Sequence, residues 1–281
     1  MQMAQIRKMS PNDFGFAIRL TDTMNWDLTE KDFRFMMRLE PNGCFTVLDG
    51  AKRVGIITTA HFGRIGWIGN VIVKTHYRSK GFGALLVKHA IEYLRKKSVS
   101  TIGLYAYLDT VSFYEKLGFK ADLNFIRLAR QSSVAGWRVA SVRTMTERDL
   151  KDVVAFDEQC MGWNRGRLLK HIFTDSKDLC YVALDDSGLL GFIMGDWYRQ
   201  EIGPCMSCVG TAKSVISLFK AALSRLSGVE VRTGVSESQQ DIVKALRKMG
   251  FEEEFKVVRM YLGEVPDEAG CVFAMESLER G

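Results

Sequence analysis

The sequence contains no apolar run close to the roughly 20 residues that a membrane-spanning helix needs. Its first residues also lack the apolar core of a secretory signal peptide. We therefore expect a soluble, cytoplasmic protein with no membrane partner. At about 100–200 residues per domain, a chain of 281 residues is expected to form two domains.

Cysteine is sparse, with six in the chain, and no pattern among them predicts a metal site. Cys205 and Cys208 form a single C-x-x-C, and no second pair or nearby histidine completes the ligand set that zinc normally needs. We expect reduced, buried thiols and no bound metal.

Charge is distributed unevenly along the chain. Residues 1–133 contain 20 Lys and Arg against 11 Asp and Glu, whereas residues 134–281 contain 19 against 22. The basic excess in the first part suits an anionic ligand such as a phosphorylated cofactor. It would also suit nucleic acid, but no motif that interleaves aromatic and basic residues is present, so we expect no nucleic-acid partner.

Two parts of the sequence resemble each other at a nearly constant offset of about 135 residues. The matching segments are 6–14 with 142–150, 25–26 with 162–163, 44–50 with 180–186, 53–57 with 189–193, and 116–119 with 248–251. Five matches in the same order indicate a duplicated domain. We place the boundary in the polar stretch Gln131–Gly136, which gives domains of residues 1–133 and 134–281.

The first copy alternates helix and strand patterns, which predicts an α/β domain with a central sheet and helices on both faces. Helix starts are predicted at Ser10 and Thr29, where a capping hydroxyl precedes an acid in the first turn. Further helices are predicted at 82–97 and near 110–117. Strands are predicted at 6–8, 44–49, 53–60, 65–73 and 101–106, with a closing strand pair near 119–129.

A basic, glycine-rich loop lies between the strand at 65–73 and the helix at 82–97. Glycines allow a phosphate to approach the backbone closely, and a helix N-terminus supplies unpaired N–H groups with partial positive charge. The loop lacks the Lys-Ser/Thr of a P-loop, and Leu86 stands where the dinucleotide-binding fingerprint has its third glycine. The sequence therefore predicts an anion-binding loop of another kind.

Arg78-Ser79-Lys80-Gly81-Phe82-Gly83 fits the R-x-x-G-x-G loop of the GCN5-related N-acetyltransferase (GNAT) family at every defined position. The strand Val71-Ile72-Val73 before the loop and the segment LYAYLDTVSFYEKLGF at 104–119 also resemble that family. The resemblance covers residues 1–130 closely. In the second copy, IGPCMS, VVRMYLGEVP and VFAMESL resemble a divergent domain of the same family.

The resemblance implies two tandem GNAT-like domains of the α/β class, each with a central mixed, mostly antiparallel sheet and helices on both faces. It implies acetyl-CoA as the donor, a primary amine as the acceptor, and no metal. Strand backbone would pair with the pantetheine arm, and loop N–H groups would hold the pyrophosphate. The implied cofactor-binding residues are Val71, Ile72, Val73, Arg78, Ser79, Lys80, Gly81, Phe82, Gly83 and Ala84.

Tyr114 is the residue that we expect to protonate the departing thiolate, because a phenol with a pKa near ~10 can donate to a thiolate whose pKa is near ~8.5. Gly69 is a candidate for a bulge that would aim an N–H at the thioester carbonyl; an ordinary strand glycine is the alternative. Many family members place a Glu on this strand, where this chain has Trp67 and Asn70.

The general base therefore stays open between His61, His76 and an ordered water path. Residues 23–33 are expected to line the acceptor pocket together with Asn70. Trp26 would contact the amine there by a cation–π interaction, or would pack in the core instead. We favour a small-molecule amine over a protein amine as acceptor, and expect a monomer or a homodimer.

The second copy departs from the family pattern. It has CVGTAKSVISLF at 208–219, without G-x-G, and Leu246 aligns with Tyr114 through the Gly-Phe turn. We expect this copy to be non-catalytic, to pack on the first and to shape the acceptor site. The competing hypothesis for the whole chain is a non-catalytic acyl-CoA-binding sensor or scaffold.

Overall fold

The computed structural model describes residues 4–131, 141–208, 212–268 and 270–281. The predicted domain boundary at Gln131–Gly136 lies, apart from its first residue, outside the described residues. The strands are β1 (Ala4–Lys8), β2 (Cys44–Asp49), β3 (Lys52–Phe62), β4 (Ile65–Val73), β5 (Thr101–Tyr107), β6 (Lys120–Gln131), β7 (Val142–Thr144), β8 (Tyr181–Asp185), β9 (Gly188–Asp196), β10 (Glu201–Ser207), β11 (Glu230–Ser236), β12 (Glu252–Leu262) and β13 (Val272–Ala274).

The helices are α1 (Phe14–Asp22), α2 (Glu30–Leu39), α3 (Phe82–Arg95), α4 (Val111–Glu115), α5 (Leu150–Met161), α6 (Gly166–Ser176), α7 (Ala212–Leu223) and α8 (Gln240–Lys248). Reciprocal capping sets the start of α2, because Thr29 and Asp32 each bond the other's backbone N–H. Ser10 and Asp13 cap the short turn that leads into α1 in the same way. In the described part of the chain, no helix is long and apolar enough to cross a bilayer.

All described strands belong to one continuous sheet. Its order is β1-β2-β3-β4-β5-β12-β6-β11-β10-β9-β8-β7, with β13 beside β10. The pairs β4–β5 and β10–β11 are parallel and the other pairs are antiparallel. The predicted class, α/β with a mixed and mostly antiparallel sheet in each copy, is confirmed.

The two copies exchange their last long strands at the centre of the sheet. Strand β12 of the second copy pairs with β5 of the first, with Val257 opposite Tyr107. In return, β6 of the first copy pairs with β11 of the second, with Phe125 opposite Ser236. The predicted closing strand pair near 119–129 is wrong, because this region is one strand that takes its partners, β11 and β12, from the second copy.

Helices cover both faces of the sheet in each copy. In the first, α1 and α2 enclose a core around Phe14 and Phe33, while α3 and α4 enclose another around Leu86 and Tyr114. In the second, α7 and α8 lie on one face and α5 and α6 on the other. The buried Leu39 of α2 belongs to the same core as α5 and α6, so a helix of the first copy packs on the second.

Residues 275–281, which we name the central segment, run between the two copies after β13 and are largely buried. Trp67 of β4 donates its indole N–H to the carbonyl oxygen of Leu278 at 3.4 Å. Arg165, which is also buried, donates to the carbonyl oxygen of Gly281 at 2.8 Å. The segment therefore joins β4 of the first copy to the helical layer of the second.

Candidate active site

Strands β4 and β5 separate part of the way along their length. They pair at Ile65–Thr101, Gly66–Ile102 and Trp67–Gly103, after which no pairing between the two is present along these described strands. Residues 68–73 of β4 then line a cavity with Tyr105 and Tyr107 of β5 on its other side. An extended ligand therefore has a free strand edge to pair with.

A bulge in β4 lies at the point of separation. Ile56 of β3 faces Ile72 while Thr58 faces Gly69, so β4 has an additional residue at 70–71. Asn70 adopts a left-handed φ of 50°, and its side-chain amide donates to the hydroxyl of Thr58 at 3.1 Å. The bulge proposed at Gly69 is thus present one residue further on.

Position 69 needs a glycine for a different structural reason. A Cβ at this position would lie 2.5 Å from Cβ of Glu279 and 2.6 Å from its Cα. No real Cβ tolerates such a contact with backbone, so glycine is required for the central segment to lie against the bulge.

The glycine-rich loop leads from β4 to the N-terminus of α3. Ser79 and Gly81 have left-handed φ values of 62° and 86°, and both residues are exposed. The hydrogen bonds of α3 begin with Leu85, whose N–H donates to Gly81 O at 3.0 Å. The N–H groups of residues 82–84 precede that bond and remain available to an anion. A Cβ at Gly83 would meet the ring of Phe113 at 3.4 Å, an ordinary van der Waals contact.

The two cations of the loop differ in position. Arg78 lines the cavity and donates from Nε to the carbonyl oxygen of Val73 at 3.1 Å, which ties the loop to the end of β4. The ammonium of Lys80 lies 5.2 Å from the ring centroid of Tyr77, on the exposed side of the loop.

Tyr114 lies in α4 and lines the same cavity. Its ring packs against Phe113 and Phe119 at centroid distances of 4.9 and 5.9 Å. Burial raises the pKa of Tyr114 above its ordinary value, since the anion would lose its hydration. The hydroxyl is therefore protonated at neutral pH and can donate a proton.

The cavity has a volume of about 940 Å³ and is built by both copies. The first copy contributes residues 24–28 and 68–73, Arg78 and Tyr114. The second contributes residues 198–200 and 254–255, with Leu278 and Glu279 of the central segment. This volume is large enough for a sizeable ligand, and the second copy forms one wall of the cavity.

Trp26 forms part of the wall formed by the first copy. Its indole N–H donates to the hydroxyl of Tyr107 at 3.0 Å, and the two rings stack at 6.4 Å. Phe255 packs on the other side of Tyr107 at 5.3 Å. Trp26 is half-buried, so part of it packs and part faces the cavity.

A network of ion pairs borders the cavity on the side of the second copy. The Nε of Arg199 lies 3.4 Å from a carboxylate oxygen of Glu201 and 3.8 Å from one of Asp32, and Arg199 also pairs with Glu279. Arg127 pairs with Glu201 as well. Burial opposes the ionisation of Glu201, but Arg127 and Arg199 outweigh it and hold the pKa of this carboxyl at about 2.

Neither histidine proposed as a base lines the cavity. His61 hydrogen-bonds through Nδ1 to Glu40, which also accepts from the hydroxyl of Tyr93. His76 is exposed in the turn after β4. Glu279 and Arg199 are cavity residues that the sequence did not suggest, because they are brought there by the exchange of strands and by the path of the central segment.

The equivalent strands of the second copy are arranged differently. Strands β10 and β11 pair only at Glu201–Arg232, so they separate as β4 and β5 do. Strand β13 then pairs with β10 at Cys205–Ala274 and Met206–Val272, and so occupies the edge that is open on β4.

The counterpart of Tyr114 agrees with the sequence alignment. The N–H of Phe119 donates to Tyr114 O at 3.1 Å, and the N–H of Phe251 donates to Leu246 O at the same distance. Leu246 therefore occupies the place of Tyr114 and offers no proton. Among the described residues, no group of three or more His, Cys, Asp or Glu side chains is arranged to hold a metal ion.

Comparison with known proteins agrees with this architecture. Family models for the acetyltransferase (GNAT) family and for an acetyltransferase (GNAT) domain match residues 9–119 and 153–274. The holothin acyltransferase of Pseudoalteromonas sp. is 27% identical over 263 residues, which cover 91% of this chain and 87% of that protein. The uncharacterized N-acetyltransferase YitH of Bacillus subtilis is 24% identical over 226 residues, 78% of each.

Two solved structures show the same fold across almost the whole chain. A protein from Pyrococcus horikoshii superposes with a TM-score of 0.84 at 20% identity, covering 100% of this chain and 97% of that one. A tandem GNAT protein from the clavulanic acid biosynthesis pathway gives a TM-score of 0.65 at 15% identity, covering 95% and 99%. At these identities the likeness concerns the fold alone.

Proposed function

The chain belongs to the acetyltransferase (GNAT) family, and from that premise we propose that it transfers an acetyl group from acetyl-CoA to a primary amine. The observation that carries the proposal is that the open edge of β4 and Tyr114 border one cavity, with the N-terminus of α3 at the end of β4. The holothin acyltransferase, which is similar over most of its length, supports acyl transfer as the reaction.

The residues present fit acetyl-CoA. The edge of β4 at residues 71–73 would pair with the pantetheine arm as an added strand does. The loop at residues 79–84 would hold the pyrophosphate through backbone N–H groups, with charge added by Arg78 and Lys80. Bound acetyl-CoA would supply a thioester, whose carbonyl carbon is the electrophile.

Two groups of this chain act on the reaction. We assign polarisation of the thioester carbonyl to a backbone N–H at the β4 bulge, where Asn70 has its left-handed conformation. We assign to Tyr114 the proton that neutralises the departing thiolate, since it lines the cavity and its hydroxyl, like that of any tyrosine, is protonated at neutral pH. The amine attacks directly, without an acyl-enzyme.

The acceptor that fits best is a small molecule. Walls from both copies bound the cavity, and the central segment lies across one side of it. A protein substrate would instead need an open groove that admits an extended chain.

We propose that the second copy does not bind acetyl-CoA. Strand β13 covers the edge of β10 that corresponds to the open edge of β4, and Leu246 replaces the proton donor. The second copy then serves as one wall of the acceptor site.

The test is turnover of acetyl-CoA with a panel of amines, read as thiol release, beside a calorimetric titration of CoA. We expect CoA binding, and turnover with at least one small amine that falls sharply in Tyr114→Phe. Tight CoA binding without turnover of any amine would overturn the proposal and favour an acyl-CoA-binding sensor.

A further inference from the structure

We propose that Glu279 of the central segment binds the ammonium group of the acceptor and takes its proton. The inference deepens the proposed function and rests on it. It makes the site a composite one, because the first copy supplies the acyl-donor cleft and the second supplies the residue that activates the amine.

The position of Glu279 places it beside the reacting groups. Its backbone lies directly against Gly69, next to the bulge at residues 70–71. Its side chain is 7% exposed, and the residue lines the cavity that Tyr114 also lines. The backbone of Glu279 thus borders the bulge to which we assign the thioester carbonyl, and its carboxylate, paired with Arg199, belongs to a residue of the same cavity wall.

Strand β4 of the first copy contains no carboxylate of its own. The strand has Trp67 and Asn70, and the Trp67 indole is directed to Leu278 O of the central segment. His61 is engaged by Glu40 and His76 is exposed away from the cavity. No carboxylate lies on β4 near the bulge. The central segment supplies one from a position more than two hundred residues further along the chain.

The ion-pair network that includes Glu279 contains more carboxylates than guanidinium groups. Arg199 is shared by Asp32, Glu201 and Glu279. In the described ion pairs, three guanidinium groups meet five carboxylates. The guanidinium groups are Arg127, Arg199 and Arg232; the carboxylates are Asp32, Glu201, Glu230, Glu254 and Glu279. Arg280 of the same segment is matched by Glu276 and does not change this balance.

An aliphatic acceptor needs such a group. An alkylammonium with a pKa near ~10.4 is almost entirely protonated at neutral pH, and only the neutral amine attacks. The ammonium pairs with the Glu279 carboxylate, which then accepts its proton.

The ammonium gives one proton to the Glu279 carboxylate, and its nitrogen forms the C–N bond with the thioester carbon. The C–S bond breaks and the sulfur takes the proton of Tyr114. The second proton lost by nitrogen returns to the tyrosinate, and Glu279 releases its proton to solvent, leaving an amide and a free thiol.

The experiment compares Glu279→Gln, Glu279→Asp and the wild-type full chain, with tyramine and spermidine as charged amines and aniline as an amine that is neutral at pH 7. We expect Glu279→Gln to lose about 100-fold in kcat/KM with a charged amine and less than about 3-fold with aniline. Glu279→Asp should recover about 10-fold of that loss. The affinity for CoA, measured by calorimetry, should stay unchanged.

The matched control is Glu252→Gln, which removes the same charge at an exposed position of β12 outside the cavity. This variant should leave kcat/KM unchanged with the charged amines and with aniline. Equal losses with charged and neutral amines would mean that Glu279 only holds the structure, and the inference would be wrong. Wild-type activity of Glu279→Gln with tyramine or spermidine would also overturn it, as would a wild type that accepts aniline alone.

A second readout separates failure of the inference from failure of the proposed function. If the wild type acetylates no amine, the proposed function fails. The role of Glu279 is then tested by calorimetric binding of spermidine to the CoA-loaded protein. Binding that Glu279→Gln weakens about 10-fold or more supports the inference. Absent binding, or binding that the variant leaves unchanged, contradicts it.

Discussion

The two copies repeat one capping ion pair and differ at a strand edge. Arg7 pairs bidentately with Asp13 at 2.7 Å, and Arg143 pairs with Asp149 in the same way. Each aspartate also accepts from the backbone N–H of the capping residue three positions earlier. The edge of β4, by contrast, faces a cavity, whereas the edge of β10 pairs with β13.

Under the proposed function, duplication has separated scaffold from chemistry. The copy that closed its cleft did so with its own β13, and the chain that follows β13 then reaches the cleft of the other copy. Because β6 and β12 are exchanged, neither copy has a complete sheet of its own. The second copy is therefore a structural part of the first copy's site.

The largest expected effect tests the difference between the two copies at the glycine-rich loop. Gly83→Glu should weaken CoA binding by about 100-fold or more, because a carboxylate would occupy the place of a phosphate at the start of α3. Calorimetry measures this directly. The matched variant is Lys213→Glu, at the exposed second residue of α7, which should leave CoA affinity unchanged. Equal losses in both variants would mean that the copies bind CoA alike.

The next effect concerns the proton donor. Tyr114→Phe should lower kcat by about 100-fold or more while CoA affinity stays the same, since only the departing thiolate loses a partner. Leu246→Met, at the corresponding position of the second copy, should leave the kinetics intact. A Tyr114→Phe enzyme with normal kcat would remove Tyr114 from the mechanism.

The Arg–Asp ion pair that recurs in both copies can be compared through its contribution to the free energy of unfolding. Burial opposes ionisation of Asp13, but bonds from Arg7, Ser10 and Arg53 outweigh it and hold its pKa well below the ordinary value. Asp13→Asn should therefore cost about 3 kcal/mol in the free energy of unfolding, measured in urea. Asp149 is paired with Arg143 but is less buried, so Asp149→Asn should cost about 1 kcal/mol.

The pH dependence of the same pair follows from the sign of the shift. A carboxyl with a lowered folded-state pKa stabilises the protein above its unfolded pKa of about 3.9 and loses that contribution as pH falls further. The gap between wild type and Asp13→Asn should be constant above about pH 5 and shrink below pH ~4. A gap that grew on acidification would contradict this assignment.

A further stability effect tests the contact between the copies. Gly69→Ala should destabilise the protein by about 2 kcal/mol, because the new Cβ would overlap the backbone of Glu279. Thermal unfolding measures the loss. Gly15→Ala is the control, since its Cβ would meet only a side-chain atom of Arg19 at 3.4 Å in the first turn of α1. That variant should be slightly more stable, as alanine favours helix.

Local features of the sequence predicted local features of the structure. The bounds of β2 and β4 agree with the prediction, because apolar patterns and turn residues lie next to each other in the chain. The capping pair at Thr29 and Asp32 is present for the same reason. Tyr114 lines the cavity beside β4 and β5, and the loop glycines lie at the start of α3, while the roles that the resemblance implies for them stay predictions.

What sequence reasoning missed depends on contacts between distant residues. The pairing of Val257 with Tyr107 joins residues 150 positions apart, and a strand pattern does not specify its partner. The approach of Glu279 to Gly69 depends in turn on that exchange and on the path after β13. His61 and His76 are candidate bases by their chemistry alone, and neither lines the cavity in the fold.

The most direct test of the account is the number of CoA molecules that one full-length chain binds, measured by isothermal titration calorimetry. A chain with one open cleft at β4 and one closed by β13 should bind one CoA, and Gly83→Glu should remove that single site. Two sites per chain, or one site that survives Gly83→Glu, would contradict the account.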